Sequence, residues 1–206
     1  SMTENSGTTI VAIKFKDGVV LASDRQTTAG FMVYHKRTQK LHEITDKIIM
    51  GAAGLVGDIQ ALVKILQANL KLKKLRSKID ATAGEAAHLL ATIMNYYKWF
   101  PFYTEVIIAG KDEDGYNIYS IDEAGGLEKF DDYISTGSGM PFALGVLEAE
   151  YKENMTKEEA KELAKKAVLA AIKRDLGTGY GVEIWVLTDQ GLEKEIYEIK
   201  EELKQK

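Results

Sequence analysis

Three histidines, no cysteine and a threonine pair at the head of an apolar run are the residues whose chemistry has to be weighed first. A serine–histidine–acid triad would need His35, His42 or His88 beside a serine on a sharp strand-to-helix turn, and no Gly-x-Ser-x-Gly occurs. The histidines therefore read as ordinary surface or core residues. Lack of cysteine removes thiolate catalysis, disulfides and sulfur-bound zinc together. Asp112-Glu113-Asp114 gathers carboxylates on a hairpin turn, where a solvated acidic tip is the ordinary outcome, so no metal and no cofactor are expected.

The threonines are Thr8 and Thr9, which follow Gly7. Such a pair opening a strand is commonplace. The turn behind it is more informative: Asp17-Gly18 between two apolar runs reads as a two-residue hairpin loop. That loop folds Asp24 back opposite about Val11, near the start of the first strand and close to Thr8. Three glycine-rich segments sit at element junctions: residues 51–57, Gly137-Ser138-Gly139, and residues 177–181. They read either as tight turns or as exposed backbone N–H groups able to hold an anion such as an oxyanion. Neither Gly-x-Gly-x-x-Gly after a strand nor a Walker lysine is present, which disfavours a nucleotide site.

The elements that must position these groups come in pairs. Thr9–Phe15 with Val19–Ser23, and Leu41–Ile44 with Lys47–Ala53 about Thr45-Asp46, read as hairpins. Ile59, Leu62, Val63, Leu66 and Leu70 then fall at helical spacing. A second helix opens at Thr82 with Glu85 as a capping box and runs to Pro101. Thr104–Ala109 and Tyr116–Ile121 pair about Asp114-Gly115. A short helix follows Pro141, and Thr156 with Glu159 caps another whose stripe is Ala160, Leu163, Ala164, Ala167 and Ala171. Val182–Thr188 and Leu192–Ile199 close the chain as a hairpin. Paired strands and paired helices point to an α+β fold, two antiparallel sheets face to face with helix pairs outside, rather than to a doubly wound parallel sheet.

Charge and length bound the rest. With 206 residues, 45% of them hydrophobic, the chain can fill one sizeable core. A net charge of −4 without a basic stripe speaks against nucleic acid, and no apolar run is long enough to span a membrane. A cytoplasmic protein is expected. Ser1 ahead of Met2 reads as an expression-tag remnant.

Gly7-Thr8-Thr9, residues 16–25, Gln39-Lys40, Ala53-Gly54, Gly137-Ser138-Gly139 and Arg174-Asp175 together resemble the archaeal proteasome β subunit, and residues 139–148 are especially close. The likeness runs from Gly7 to about Ile199. It implies the four-layer αββα sandwich of N-terminal-nucleophile hydrolases, with residues 1–7 as a leader, 8–199 as one domain and 200–206 as a charged tail. It also implies a threonine endopeptidase that frees itself by cutting Gly7–Thr8. Two β rings would then stack between two α rings of seven subunits each, and a regulatory ATPase would feed in unfolded polypeptide.

Carried over by position, the resemblance makes Thr8 the nucleophile and its own α-amine the base. Asp24 and Lys40 become the flanking acid and base, and Gly54 the oxyanion donor. Ser138, Asp175 and Thr178 orient the amine, and Thr28 pairs with the substrate backbone. Thr178 stands where the family usually has serine, and Tyr180 where a small polar residue is common. Thr27, Thr38, His42, Ala52, Val56 and Gln60 surround the first specificity pocket, and small Ala52 with apolar Val56 predicts cleavage after medium or large hydrophobic residues. Because of the departures at Thr178 and Tyr180, a structural, weakly active or silent β subunit is the alternative.

Overall fold

The first apolar run is buried on both faces, and its alternation shows why. Val11, Ile13 and Phe15 pack into one core while Ile10 and Ala12 pack into another. This strand, β1 (Ile10–Phe15), lies in the middle of a stack of layers. In the computed structural model, which describes residues 7–25, 39–174 and 181–199, it is followed by β2 (Gly18–Arg25), β3 (Leu41–Thr45) and β4 (Ile48–Gly54). Next come α1 (Val56–Ser77), α2 (Ala83–Tyr96), β5 (Thr104–Asp112), β6 (Gly115–Ile121), β7 (Leu127–Phe130) and β8 (Tyr133–Thr136). The series ends with α3 (Met140–Glu150), α4 (Lys157–Arg174), β9 (Gly181–Thr188) and β10 (Gly191–Glu198).

The strands form two antiparallel sheets, β10-β9-β2-β1-β8 and β3-β4-β5-β6-β7. One core lies between them, with Ile10, Leu21, Leu41, Ile49, Ile107 and Trp185. A second joins the outer face of the β3–β7 sheet to α1 and α2, and a third joins the β1 sheet to α3 and α4. The order is therefore helices, sheet, sheet, helices, the α+β sandwich the paired elements predict. The buried side chains of α1 are the five of its predicted stripe, and α4 adds Val168 to its own. At the N-terminus of α4, Thr156 and Glu159 accept each other's backbone N–H at 3.1 and 3.2 Å. No helix among the described residues is long and apolar enough to cross a membrane.

The structure corrects several details. The first hairpin turns at Lys16-Asp17, so Phe15 pairs with Gly18 and Asp24 falls opposite Thr9 rather than Val11. Gly18 serves the neighbouring strand instead of the turn: a Cβ there would lie 2.1 Å from the Leu187 carbonyl oxygen on β9. The second hairpin turns one residue later than expected and the third one residue earlier. The acidic tip is not simply solvated, since Asp112 accepts from Gly84 N–H, Asn117 and the Tyr119 hydroxyl. β7 and β8 are additions the sequence reading did not contain.

Candidate active site

Asp24 closes the end of β2 beside the start of β1. Its main-chain N–H donates to Thr9 O at 3.2 Å, and the Thr9 N–H donates back to Asp24 Oδ1 at 2.8 Å. The other oxygen, Oδ2, accepts from Lys40 Nζ at 2.7 Å. The two side chains are 1% and 5% exposed, and they are the only buried charged residues among those described. Charges so far from water persist only when paired and hydrogen-bonded, which both of these are. Lys40 precedes β3 in the second sheet, and its carbonyl accepts from Ala52 N–H at 3.0 Å. A cation from one sheet thus reaches a carboxylate in the other, one residue from Thr8.

The opposite flank of Thr8 is built by β8. Ile10 pairs with Thr136, and the Ser135 hydroxyl donates to Ile10 O at 2.7 Å, so the chain leaving β8 runs along Thr8. There the Thr8 N–H donates to Ser138 Oγ at 3.0 Å, and Gly139 N–H donates to Thr8 O at 3.2 Å. Glycine is required on this ledge. Gly137 has φ +95°, and a Cβ on it would lie 2.1 Å from Thr8 O. A Cβ on Gly139 would meet Thr9 Oγ1 at 2.0 Å.

Gly54 ends β4 opposite Thr104, with φ +141° and no room for a Cβ, which would lie 2.0 Å from Tyr103 O. In an antiparallel ladder, successive N–H groups point alternately to the two neighbours. Leu55 N–H donates to Tyr103 O of the β5 side, and Ala52 N–H donates to Lys40 O. The same alternation directs the Gly54 N–H to the Lys40 side. The Ser138 hydroxyl, the Thr8 nitrogen and the buried Asp24–Lys40 pair therefore stand together at the start of β1, and Gly54 ends β4 with its N–H directed to the Lys40 side of the sheet. That set suits nucleophilic attack on an acyl carbon, with charge stabilised on oxygen.

A family model described as "Proteasome subunit" matches residues 4–187. The proteasome subunit beta of Methanoregula boonei is 42% identical over 183 residues, 89% of this chain and 86% of the relative. Proteasome subunit beta 2 of Thermococcus kodakarensis is 44% identical over 201 residues, 97% of this chain and all of the relative. That of Nanoarchaeum equitans, a proteasome subunit beta, is 43% identical over 188 residues, 91% and 96% respectively. The chain belongs to the proteasome β-subunit family.

In this proteasome β-family chain the residues assigned to the first specificity pocket divide into two groups. Ala52 faces the α1 side of its sheet, in one core with Met50 and Ile59. His42 pairs with Met50 and so shares that face; it is half-buried, and its Nε2 has no hydrogen-bond partner. Burial holds the His42 pKa below its usual 6.5, against a hydrogen bond with the Gln39 backbone that raises it. Val56 and Gln60 lie exposed in the first turns of α1. Thr27, Thr28, Thr38, Asp175, Thr178 and Tyr180, as well as His35, lie outside the described residues. His88 spends its Nδ1 on the Gly84 carbonyl within α2.

A cleft of about 720 Å³ opens at the other end of the sandwich, between the hairpin turns of both sheets. Several of its charged groups are already paired: Lys111 and the Tyr116 hydroxyl both donate to Asp189, and Lys157 donates to Glu193 beside the cleft. It brings no nucleophile next to a base. The sequence reading missed β8, which sets the height of Ser138 against Thr8. The run Tyr133-Ile134-Ser135-Thr136, aromatic and partly β-branched, was the available signal.

Proposed function

We propose that this chain is a threonine endopeptidase of the proteasome core particle, with Thr8 as its nucleophile. The observation that carries the reading is the buried Asp24–Lys40 pair, held against the peptide group that follows Thr8. A threonine hydroxyl is a weak nucleophile without a base, and the Thr8 nitrogen, joined to Gly7, is a peptide N–H with no basicity. Cleavage creates the base. Thr8 Oγ attacks the Gly7 carbonyl, the acyl group passes from nitrogen to oxygen, and water hydrolyses the ester, leaving a free α-amine on Thr8. Such an amine titrates near pH ~7.7–8.0 and is substantially neutral close to neutrality.

In turnover the amine takes the Oγ proton as Oγ attacks the scissile carbonyl. The Gly54 N–H receives the developing oxyanion, and the Lys40 charge, anchored by Asp24, lowers the cost of negative charge on Oγ. Collapse expels the leaving amine, which takes the proton from the Thr8 ammonium, and water releases the acyl group. Ser138 Oγ already accepts from the Thr8 nitrogen at 3.0 Å before cleavage, which supports its role in orienting the amine. Asp175 and Thr178 complete that set by family correspondence, and Thr28 holds the substrate as an added strand. The working form is a stack of seven-membered α and β rings in the cytoplasm, supplied with unfolded polypeptide by an ATPase.

The test is assembly with α subunits, read by intact mass and by hydrolysis of fluorogenic peptides. Wild-type chain is expected to lose residues 1–7 and cleave, and Thr8→Ala to do neither. A leader that persists in assembled wild-type particles would make the chain a structural β subunit.

A further inference from the structure

At Gly54 the β4 strand turns into helix α1 within two residues, and one side chain holds that switch in place. If the ladder of β4 and β5 continued past Gly54 and Thr104, Leu55 and Tyr103 would exchange two hydrogen bonds, Leu55 N–H to Tyr103 O and Tyr103 N–H to Leu55 O. Only the first is made, at 2.9 Å. The Leu55 carbonyl accepts instead from Ile59 N–H at 3.0 Å, as the first acceptor of α1. Tyr103 N–H is thereby left without its main-chain acceptor. The carboxylate of Asp58 takes the missing place and accepts from it at 2.8 Å.

The geometry points to Asp58 as a positioning residue that fixes the Gly54 N–H for oxyanion binding. The inference rests on the proposed protease mechanism. Leu55, at the head of α1, offers no side-chain cap, and an acidic residue at the third helical position would ordinarily reach back to the N–H at the head of the helix. Here that N–H belongs to Tyr103 O, and the acid reaches across to Tyr103 N–H. Tyr103 is thereby gripped through both main-chain groups, by residues on either side of the turn. The glycine cannot hold itself: its φ of +141° lies where no other residue is at ease, and Gly54↔Thr104 is the last pair of the β4–β5 ladder, so its orientation depends on how the Leu55–Tyr103 junction just beyond is held. Displacing an oxyanion donor costs rate in the transition state, whereas ground-state binding by the strand edges is left alone.

The experiment compares Asp58→Ala and Asp58→Asn in particles assembled with α subunits, with active Thr8 counted by an irreversible inhibitor. Asp58→Ala is expected to lower kcat per titrated site about tenfold with KM nearly unchanged. A peptide boronate, whose adduct places an oxygen toward Gly54, should lose affinity by a similar factor. Asn keeps an acceptor for Tyr103 N–H and should restore most of both. Where the alanine variant fails to assemble, Asp58→Glu decides: the same split is expected, because the added methylene moves the acceptor. Wild-type kcat per site in Asp58→Ala, or in Asp58→Glu where the alanine variant does not assemble, would overturn the inference, even with a lowered Tm. Wild-type particles without Thr8-dependent turnover would overturn the protease reading and this inference with it.

Discussion

Asp24 and Lys40 meet at 2.7 Å from different sheets, and both are almost completely buried. Removing one partner leaves the other charge desolvated, which typically costs ~3–5 kcal/mol. Lys40→Ala is therefore expected to abolish peptide hydrolysis and to lower stability by about that amount, measured by chemical denaturation. The double variant Asp24→Asn, Lys40→Met should lose less stability than the sum of its parts, because the two single losses share one interaction.

On the other flank of Thr8, a glycine and a serine next to each other are expected to fail differently. Gly139→Ala forces a methyl onto Thr9 Oγ1 and within 2.8 Å of Ala171 Cβ on α4. Overpacking of this kind costs ~1–3 kcal/mol, and here it pushes β1 away from the ledge. Ser138→Ala removes a hydroxyl and little else. It should slow leader removal and turnover about tenfold, with Tm close to wild type, as a time course of intact mass together with a thermal melt would show.

His42 gives the fold a pH dependence. Burial depresses its pKa in the folded state below 6.5, so the unfolded chain binds the proton more readily. Stability is expected to fall as pH drops through about 6.5, the unfolded value, until the folded-state pKa is passed. Tm measured across that range should show a slope in wild type that flattens in His42→Gln.

Specificity should follow the size of the side chain at Ala52. An apolar pocket separates substrates by ~1–3 kcal/mol per methylene, so wild-type particles are expected to cleave after leucine well ahead of arginine but to yield mixed products. Ala52→Val narrows the space between β4 and α1 and should favour smaller residues. Fluorogenic peptides that differ only in the residue before the cut would measure the shift, and equal hydrolysis after arginine and leucine would contradict the expectation.

The helices were legible because a 3.6-residue period writes the buried face into neighbouring positions. Leu62, Val63 and Leu66 need no distant partner to declare it. Strand register was less so. A two-residue loop at Asp17-Gly18 was the local inference, and it misplaced Asp24 by two positions, because Gly18 answers to Leu187 at the far end of the chain. β7 and β8 are four residues each, too short for alternation to stand out.

Residue types and their order fixed which groups are present at all: a glycine-threonine pair, Asp24 one hairpin turn away, Lys40, and the glycines around Ser138. They also fixed the layered class, since paired strands and paired helices each carry their own period. That Asp24 and Lys40 share a hydrogen bond was decided by the packing of one sheet upon the other, that Ser138 stands at the Thr8 nitrogen by the closing of β8 on β1, and that Asp58 holds Tyr103 by the pairing of β4 with β5. Local periodicity records which face of an element is apolar. It does not record which distant element will cover that face, and every one of these contacts is made across such a junction.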